Sequence, residues 1–233
     1  MNKKINFTNS NGYKLSGVLS IPHNNYNGLI VVFAHGLGSS KESDKYKDFG
    51  KLLNERNIGI FKFDFYGHGE SEGLFEDITV DEGIDDVLQA VELLKSKGFT
   101  KIGLVGTSFG GISSIMAASK DTDLKFLGLL VPVSIPEKLA HLRSTETATL
   151  KHPLELDKKN NGHKIAYRIK VPVYIIHGEK DEIVPLEHSI KFCKLLPNCK
   201  LEIIKGGDHR LRAPHHYKKI LNLMTDFIVS HSK

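Results

Sequence analysis

Ser108 stands in the pentapeptide Gly106-Thr107-Ser108-Phe109-Gly110, after the apolar run Ile102-Gly103-Leu104-Val105 and before a segment patterned as a helix. A serine hydroxyl is a poor nucleophile at neutral pH. It needs a base to take its proton and fixed donors to hold the oxyanion that its attack creates. G-x-S-x-G on a strand-to-helix turn lifts such a hydroxyl clear of a sheet. The glycines two residues to either side are expected to let backbone approach where a Cβ would clash. The chemistry open to this residue is acyl transfer through a covalent intermediate.

The base and the acid that orients it are sought just past strands, because loops at the carboxyl ends of parallel strands gather functional groups. After the apolar strand 173–177 comes Gly178-Glu179-Lys180-Asp181-Glu182-Ile183-Val184-Pro185. After 201–204 comes Lys205-Gly206-Gly207-Asp208-His209. Asp181 is the expected acid, with Glu179 and Glu182 as competing carboxylates and Asp208 as a more distant one. His209 is the expected base. The order Ser108, Asp181, His209 is nucleophile, acid, base along the chain. His209 must be neutral to accept a proton, so activity is expected to fall on the acid side.

The elements that must position these residues read as alternating strands and helices. Segments 3–8 and 13–21 form a hairpin around Asn9-Ser10-Asn11-Gly12, where Asn-Gly suits a tight turn. Segment 29–34 is unbroken and apolar, as a strand covered on both faces must be. Helices are expected over 44–57, 81–97, 109–119, 187–196 and 217–229, and further strands over 58–63 and 126–131. In 81–97, Ile84, Val87, Leu88, Val91 and Leu94 make one apolar stripe. This rhythm means an α/β chain with a mainly parallel sheet and helices on both faces. One domain is expected over 1–233. The segment 133–170 falls outside the rhythm, is polar and carries Pro136 and Pro153. It is expected to be a lid-like insertion after the sixth strand, over the sheet edge where ligands bind.

These pieces together resemble the α/β-hydrolase superfamily over nearly the whole chain. The matching motifs are His35-Gly36-Leu37-Gly38, Asp64-Phe65-Tyr66-Gly67-His68-Gly69-Glu70-Ser71, the serine turn, His177 to Pro185, and Gly207-Asp208-His209. Within that superfamily the chain is similar to compact serine esterases, including cinnamoyl/feruloyl esterases and monoacylglycerol-lipase-like enzymes. The resemblance implies the α/β-hydrolase fold and an oxyanion hole made by the backbone N–H groups of Leu37 and Phe109. Phe109 also opens a helix, whose positive end favours an anion.

Other chemistries fit less well. Gly67-His68-Gly69 and Gly36-Leu37-Gly38 are followed by Glu72 and Lys41 where a dinucleotide fingerprint needs a third glycine. No cofactor is expected. His209, His215 and His216 lack metal-ligand spacing with a nearby carboxylate, so no metal is expected either. His35, His68 and His177 read as structural. The 233 residues carry 32 Lys and Arg against 27 Asp and Glu, a formal charge of +5. The lysines are spread without a basic block, which reads as a solvated surface and not as a nucleic-acid site. Cys193 and Cys199 form no metal or disulfide framework and read as plain thiols, suited to a reducing compartment. Residues 1–6 lack the apolar core of a signal peptide, and no stretch approaches a membrane span. A cytoplasmic protein is expected, with a homodimer as one possible assembly.

The reading is a cofactor-free serine carboxylesterase acting on a small-molecule ester, of small or aromatic (cinnamoyl-type) acids. The alternatives are a monoacylglycerol lipase, thioesterase, peptidase or acyltransferase with the same three residues, and a hydrolase-fold protein that binds a ligand without turnover.

Overall fold

The computed structural model describes residues 2–121, 123–139, 149–154 and 157–232. Eight strands form one sheet: β1 (Asn2–Thr8), β2 (Lys14–Ser20), β3 (Leu29–Ala34), β4 (Gly59–Phe63), β5 (Lys101–Thr107), β6 (Leu127–Leu130), β7 (Val173–Gly178) and β8 (Cys199–Ile204). Their spatial order is β1-β2-β4-β3-β5-β6-β7-β8. β1 pairs antiparallel with β2, and β2 antiparallel with β4. The other five pairings are parallel. Only Gly12 takes positive φ in the first hairpin, and the Asn9 side chain accepts from the N–H groups of Asn11 and Tyr13 to close it. Asn11 keeps negative φ, so the Asn-Gly pair does not form the two-residue turn that its composition suggests.

The central strands alternate strictly. Leu29, Val31 and Phe33 of β3 join one apolar cluster, while Ile30, Val32 and Ala34 join the other. That is the two-residue period of a strand covered on both faces. On the first side the cover is α1 (Asp44–Asn54) and α6 (Pro214–Ser230), through Phe49, Leu53, Ile220 and Met224. On the second side it is α2 (Val80–Ser96), α3 (Phe109–Ala118) and Phe192 of α5 (Glu187–Leu195). α2 starts one residue earlier than its apolar stripe suggests. Thr79 caps it reciprocally: its hydroxyl accepts from the Glu82 N–H, and the Glu82 carboxylate accepts from the Thr79 N–H. α6 starts at Pro214, a residue whose missing N–H costs nothing in a first turn.

Between β6 and β7 the chain forms short 3₁₀ turns at Pro136–Leu139 and Ala166–Arg168 and a single α turn, α4 (Gly162–Ile165). Residues 140–148 and 155–156 of the expected insertion at 133–170 lie outside the described residues. No helix among the described residues is long and apolar enough to cross a membrane.

The cysteines correct the sequence reading. Cys193 and Cys199 are bonded to each other, with their Cα atoms 5.4 Å apart. α5 ends at Leu195 and β8 begins at Cys199, so a three-residue connection folds one cysteine back onto the other. A spacing of six carries no such signal in the sequence, and a bonded pair no longer points to a reducing compartment.

Candidate active site

β5 delivers Ser108. Its φ is +51° and ψ −111°, a backbone state that non-glycine residues rarely adopt. The turn is fixed from both sides. The Ser108 N–H donates to the Leu130 carbonyl at 3.0 Å, and the Ser108 carbonyl accepts from Gly111 and Val133 at 2.8 and 3.2 Å. The two glycines are required as their spacing suggests. A Cβ on Gly106 would lie 2.3 Å from the Gly110 carbonyl oxygen. One on Gly110 would lie 2.3 Å from the Ala34 oxygen and 2.5 Å from that of His35. Backbone of β3 cannot retreat from such a contact, so Gly110→Ala is expected to destabilise the fold by about 3 kcal/mol, at the upper end of overpacking costs. Chemical denaturation of the variant beside wild type measures this.

Ser108, His209 and Asp181 come together although they lie on three separate loops. His209 Nε2 is 3.0 Å from Ser108 Oγ, and His209 Nδ1 is 2.7 Å from Asp181 Oδ2. The other carboxylate oxygen, Oδ1, accepts from the N–H groups of Ile183 and Val184 at 2.9 and 2.7 Å. Glu179, the rival acid, instead accepts from the Gly206 N–H. Asp208 accepts from the Leu211 N–H. Burial alone would raise the Asp181 pKa. Hydrogen bonds from His177 and His209, the His209 charge and the Val184 amide outweigh burial and hold the carboxyl below the usual carboxylate range.

His177 does more than fill the core. It is fully buried, its Nε2 lies 2.9 Å from the Val184 oxygen and 3.1 Å from Asp181 Oδ2, and its Nδ1 lies 2.7 Å from the Ser189 hydroxyl. A proton on Nε2 satisfies both oxygens while Ser189 donates to Nδ1. Asp181 Oδ2 therefore sits between two imidazoles. The sequence signal for this was the spacing of four between His177 and Asp181 across a tight loop.

The loop after β3 lies against Ser108: a Cβ on Gly36 would be 3.4 Å from Ser108 Cβ. Two histidines staple this loop. His35 Nδ1 donates to the Gly36 oxygen at 2.8 Å and Nε2 accepts from the Phe65 N–H at 3.2 Å. His68 Nε2 accepts from the Gly38 N–H at 3.1 Å, and its Nδ1 donates to the Tyr66 oxygen. Burial, helped by the neighbouring His68, pushes the His35 pKa down to about 3, so this ring is neutral and has an acceptor nitrogen to offer. Lys41 anchors the far end of the loop on Asp64 and Glu70. The Gly38 N–H is thus engaged, while the N–H groups of Leu37 and Phe109 have no acceptor among the described residues.

A cavity of about 850 Å³ opens beside Ser108. Its apolar lining includes Leu37, Phe109, Val131, Val133, Leu154 and Val184. Val133 and Leu154 belong to the β6–β7 connection, so that segment reaches the cavity. Lys45, Tyr46, Arg212 and Tyr217 also line it, and the sequence reading missed all four. Nothing in the local pattern separates them from the surface of α1 and the start of α6.

Residues 27–223 match the family model described as alpha/beta hydrolase domain. The chain belongs to the alpha/beta hydrolase family, and its sheet and helices are that fold. Its structure is similar to that of Est1E from Butyrivibrio proteoclasticus with ferulic acid bound, at 28% identity and a TM-score of 0.85, covering 97% of this chain and 98% of that one. The human serine hydrolase BPHL is 26% identical over 216 residues, 78% of this chain and 73% of that protein. The bovine mitochondrial palmitoyl-protein thioesterase ABHD10 is 22% identical over 224 residues, 85% of this chain and 72% of that protein.

Proposed function

We propose that this hydrolase is a serine carboxylesterase with Ser108 as nucleophile, His209 as general base and acid, and Asp181 as the orienting carboxylate. The observation that carries the reading is the unbroken chain of contacts from Ser108 Oγ to His209 Nε2 at 3.0 Å and from His209 Nδ1 to Asp181 Oδ2 at 2.7 Å. In the first half-reaction His209 Nε2 takes the Ser108 proton as Oγ adds to the ester carbonyl. The N–H groups of Leu37 and Phe109 receive the oxyanion. Each such donor contributes about 10²–10³-fold in rate. His209 then returns the proton to the departing alcohol and leaves an acyl-Ser108. In the second half a water gives its proton to His209 and adds to the acyl carbon, and His209 then returns that proton to Ser108 Oγ as the acyl–oxygen bond breaks and the acid leaves. Asp181 keeps the His209 Nδ1 proton in place throughout and balances the charge of the imidazolium.

The substrate reading is an ester of a small or aromatic, cinnamoyl-type acid. It is supported by the cavity of about 850 Å³ with its mixed apolar lining and by the likeness to Est1E, whose structure holds ferulic acid. The test combines a panel and a label. The panel is p-nitrophenyl acyl esters, methyl hydroxycinnamates and acyl thioesters. The label is a fluorophosphonate, located by peptide mass spectrometry. Ester turnover with the phosphonate on the Ser108 peptide is the expected result. No turnover of any activated ester, with no adduct at Ser108, would sink the reading. A thioester preference would move the chain toward the chemistry named for ABHD10.

A further inference from the structure

The cavity beside Ser108 carries an excess of positive charge. Lys45, Lys47, Arg210 and Arg212 line it, against the carboxylates of Asp44 and Asp48. Both carboxylates are already engaged: Asp44 lies 3.7 Å from Lys47, and Asp48 accepts from the Tyr217 hydroxyl at 2.7 Å. Lys45 and Arg212 have no ion-pair partner among the described residues. They come from separate elements, Lys45 from the first turn of α1 and Arg212 from the loop between His209 and α6. Lys45 is half-buried, while Arg212 lies at an exposed edge.

Lys41, a buried lysine of the loop after β3, shows what the fold does when a charge is only structural. Lys41 has both Asp64 and Glu70 in hydrogen-bond contact. Lys45 is treated differently. Burial, reinforced by the Arg212 guanidinium, pushes its pKa down to about 8. A desolvated ammonium beside a second cation, with no counter-ion, is an arrangement that folding alone disfavours. An anion entering the cavity would complete it.

We propose that Lys45 and Arg212 form an anion-binding subsite within the cavity beside Ser108, and that the ester hydrolysed there carries a compact oxyanion, a carboxylate or a phosphate, at its far end. The inference rests on the reading of Ser108 as the nucleophile of an ester hydrolase and narrows its substrate class. The neutral end of the ester meets the Leu37 and Phe109 amides. The charged end is held by a cation from α1 and a cation from the loop between His209 and α6. Binding through a remote charge of this kind positions the carbonyl for attack.

The test compares two substrates of one chain length: p-nitrophenyl monoadipate, with a free carboxylate, and its methyl ester, which lacks the charge. The readout is the ratio of kcat/KM for the charged over the capped ester within each protein, so effects common to both substrates cancel. The expected wild-type ratio is about tenfold or more, the usual worth of one charge-assisted contact. It should fall toward one in Lys45→Met and in Arg212→Gln, and be retained in Lys45→Arg. Between pH 7 and 9 the wild-type ratio should also decline. Lys45 loses its proton over that range, with Asp44, Tyr46, Lys47, Asp48, His209, Arg210, Arg212 and Tyr217 as the titratable or charged groups around the cavity. A wild-type ratio at or below one, or a ratio that the Lys45 and Arg212 variants leave unchanged, overturns the subsite. If wild type hydrolyses neither ester, the hydrolase reading fails separately. Calorimetric titration of monomethyl adipate and of inorganic phosphate into wild type and Lys45→Met then decides the subsite. Binding lost in the variant upholds it and identifies which oxyanion it prefers, and no binding overturns it.

Discussion

Ser108→Ala is expected to lower kcat on p-nitrophenyl acetate by about 10⁴–10⁶-fold, the range seen when a serine nucleophile is removed from an intact site. The loss should be confined to chemistry. Among the described residues the Ser108 side chain is in hydrogen-bond contact with His209 alone, and the backbone bonds that hold the turn run through Leu130, Gly111 and Val133. None of them needs the hydroxyl. Alanine suffers the positive φ no more than serine does, so the melting temperature should stay within a few degrees of wild type. The residual rate, about 10³–10⁴-fold over water, would come from the oxyanion donors and from substrate positioning. Steady-state kinetics on variant and wild type, with a thermal melt of each, make the comparison. A fall of less than tenfold in a folded variant would move the nucleophile elsewhere in the cavity.

Much of this site was legible in the sequence because its parts are constrained one residue at a time. Gly106 and Gly110 must be glycine because carbonyl oxygens stand 2.3 Å from where their Cβ atoms would be. The oxygen is four residues away for Gly106 and at the end of β3 for Gly110, but each demand falls on a single position and so leaves a local motif. The alternation of β3 between two apolar faces is equally local, and it gives the layers. His209 and Asp181 were chosen by a rule about strand ends, which left Glu179 and Glu182 as competing carboxylates. The geometry adds a reason. Glu179 faces the backbone of Gly206, while Asp181 turns back under the β7 end, where the Ile183 and Val184 amides receive it. Lys45 and Arg212 were illegible because each looks like an ordinary surface cation in its own segment. Only the packing of α1 beside the His209 loop brings the two charges into one cavity. The disulfide was hidden in the same way, since it depends on how sharply the chain reverses between α5 and β8.

Asp181→Asn is expected to cost about 10⁴-fold in kcat, as loss of the orienting carboxylate does where it fixes a catalytic tautomer. Oδ1 faces two N–H donors, from Ile183 and Val184, so an asparagine would keep its carbonyl oxygen there. Its amide NH₂ would then occupy the Oδ2 position, between His209 Nδ1 at 2.7 Å and His177 Nε2 at 3.1 Å. Against an amide donor, His209 must present a bare Nδ1 and carry its proton on Nε2. That proton points at Ser108 Oγ, and the base has become a donor. His177 worsens the fit. Its Nε2 proton is held by the Val184 oxygen, and Ser189 fills its Nδ1, so it cannot readily switch tautomer to welcome the amide. The same carboxylate is held ionised in the native site, so its loss also removes the charge that balances the imidazolium in the transition state. Kinetics of the variant, with the His209 Nδ1 proton followed by low-temperature NMR, separates tautomer from misfolding. The expected spectrum lacks the strongly downfield Nδ1 resonance of wild type while the rest of the fold is unchanged. A variant that keeps both that resonance and its rate would show that another group orients His209.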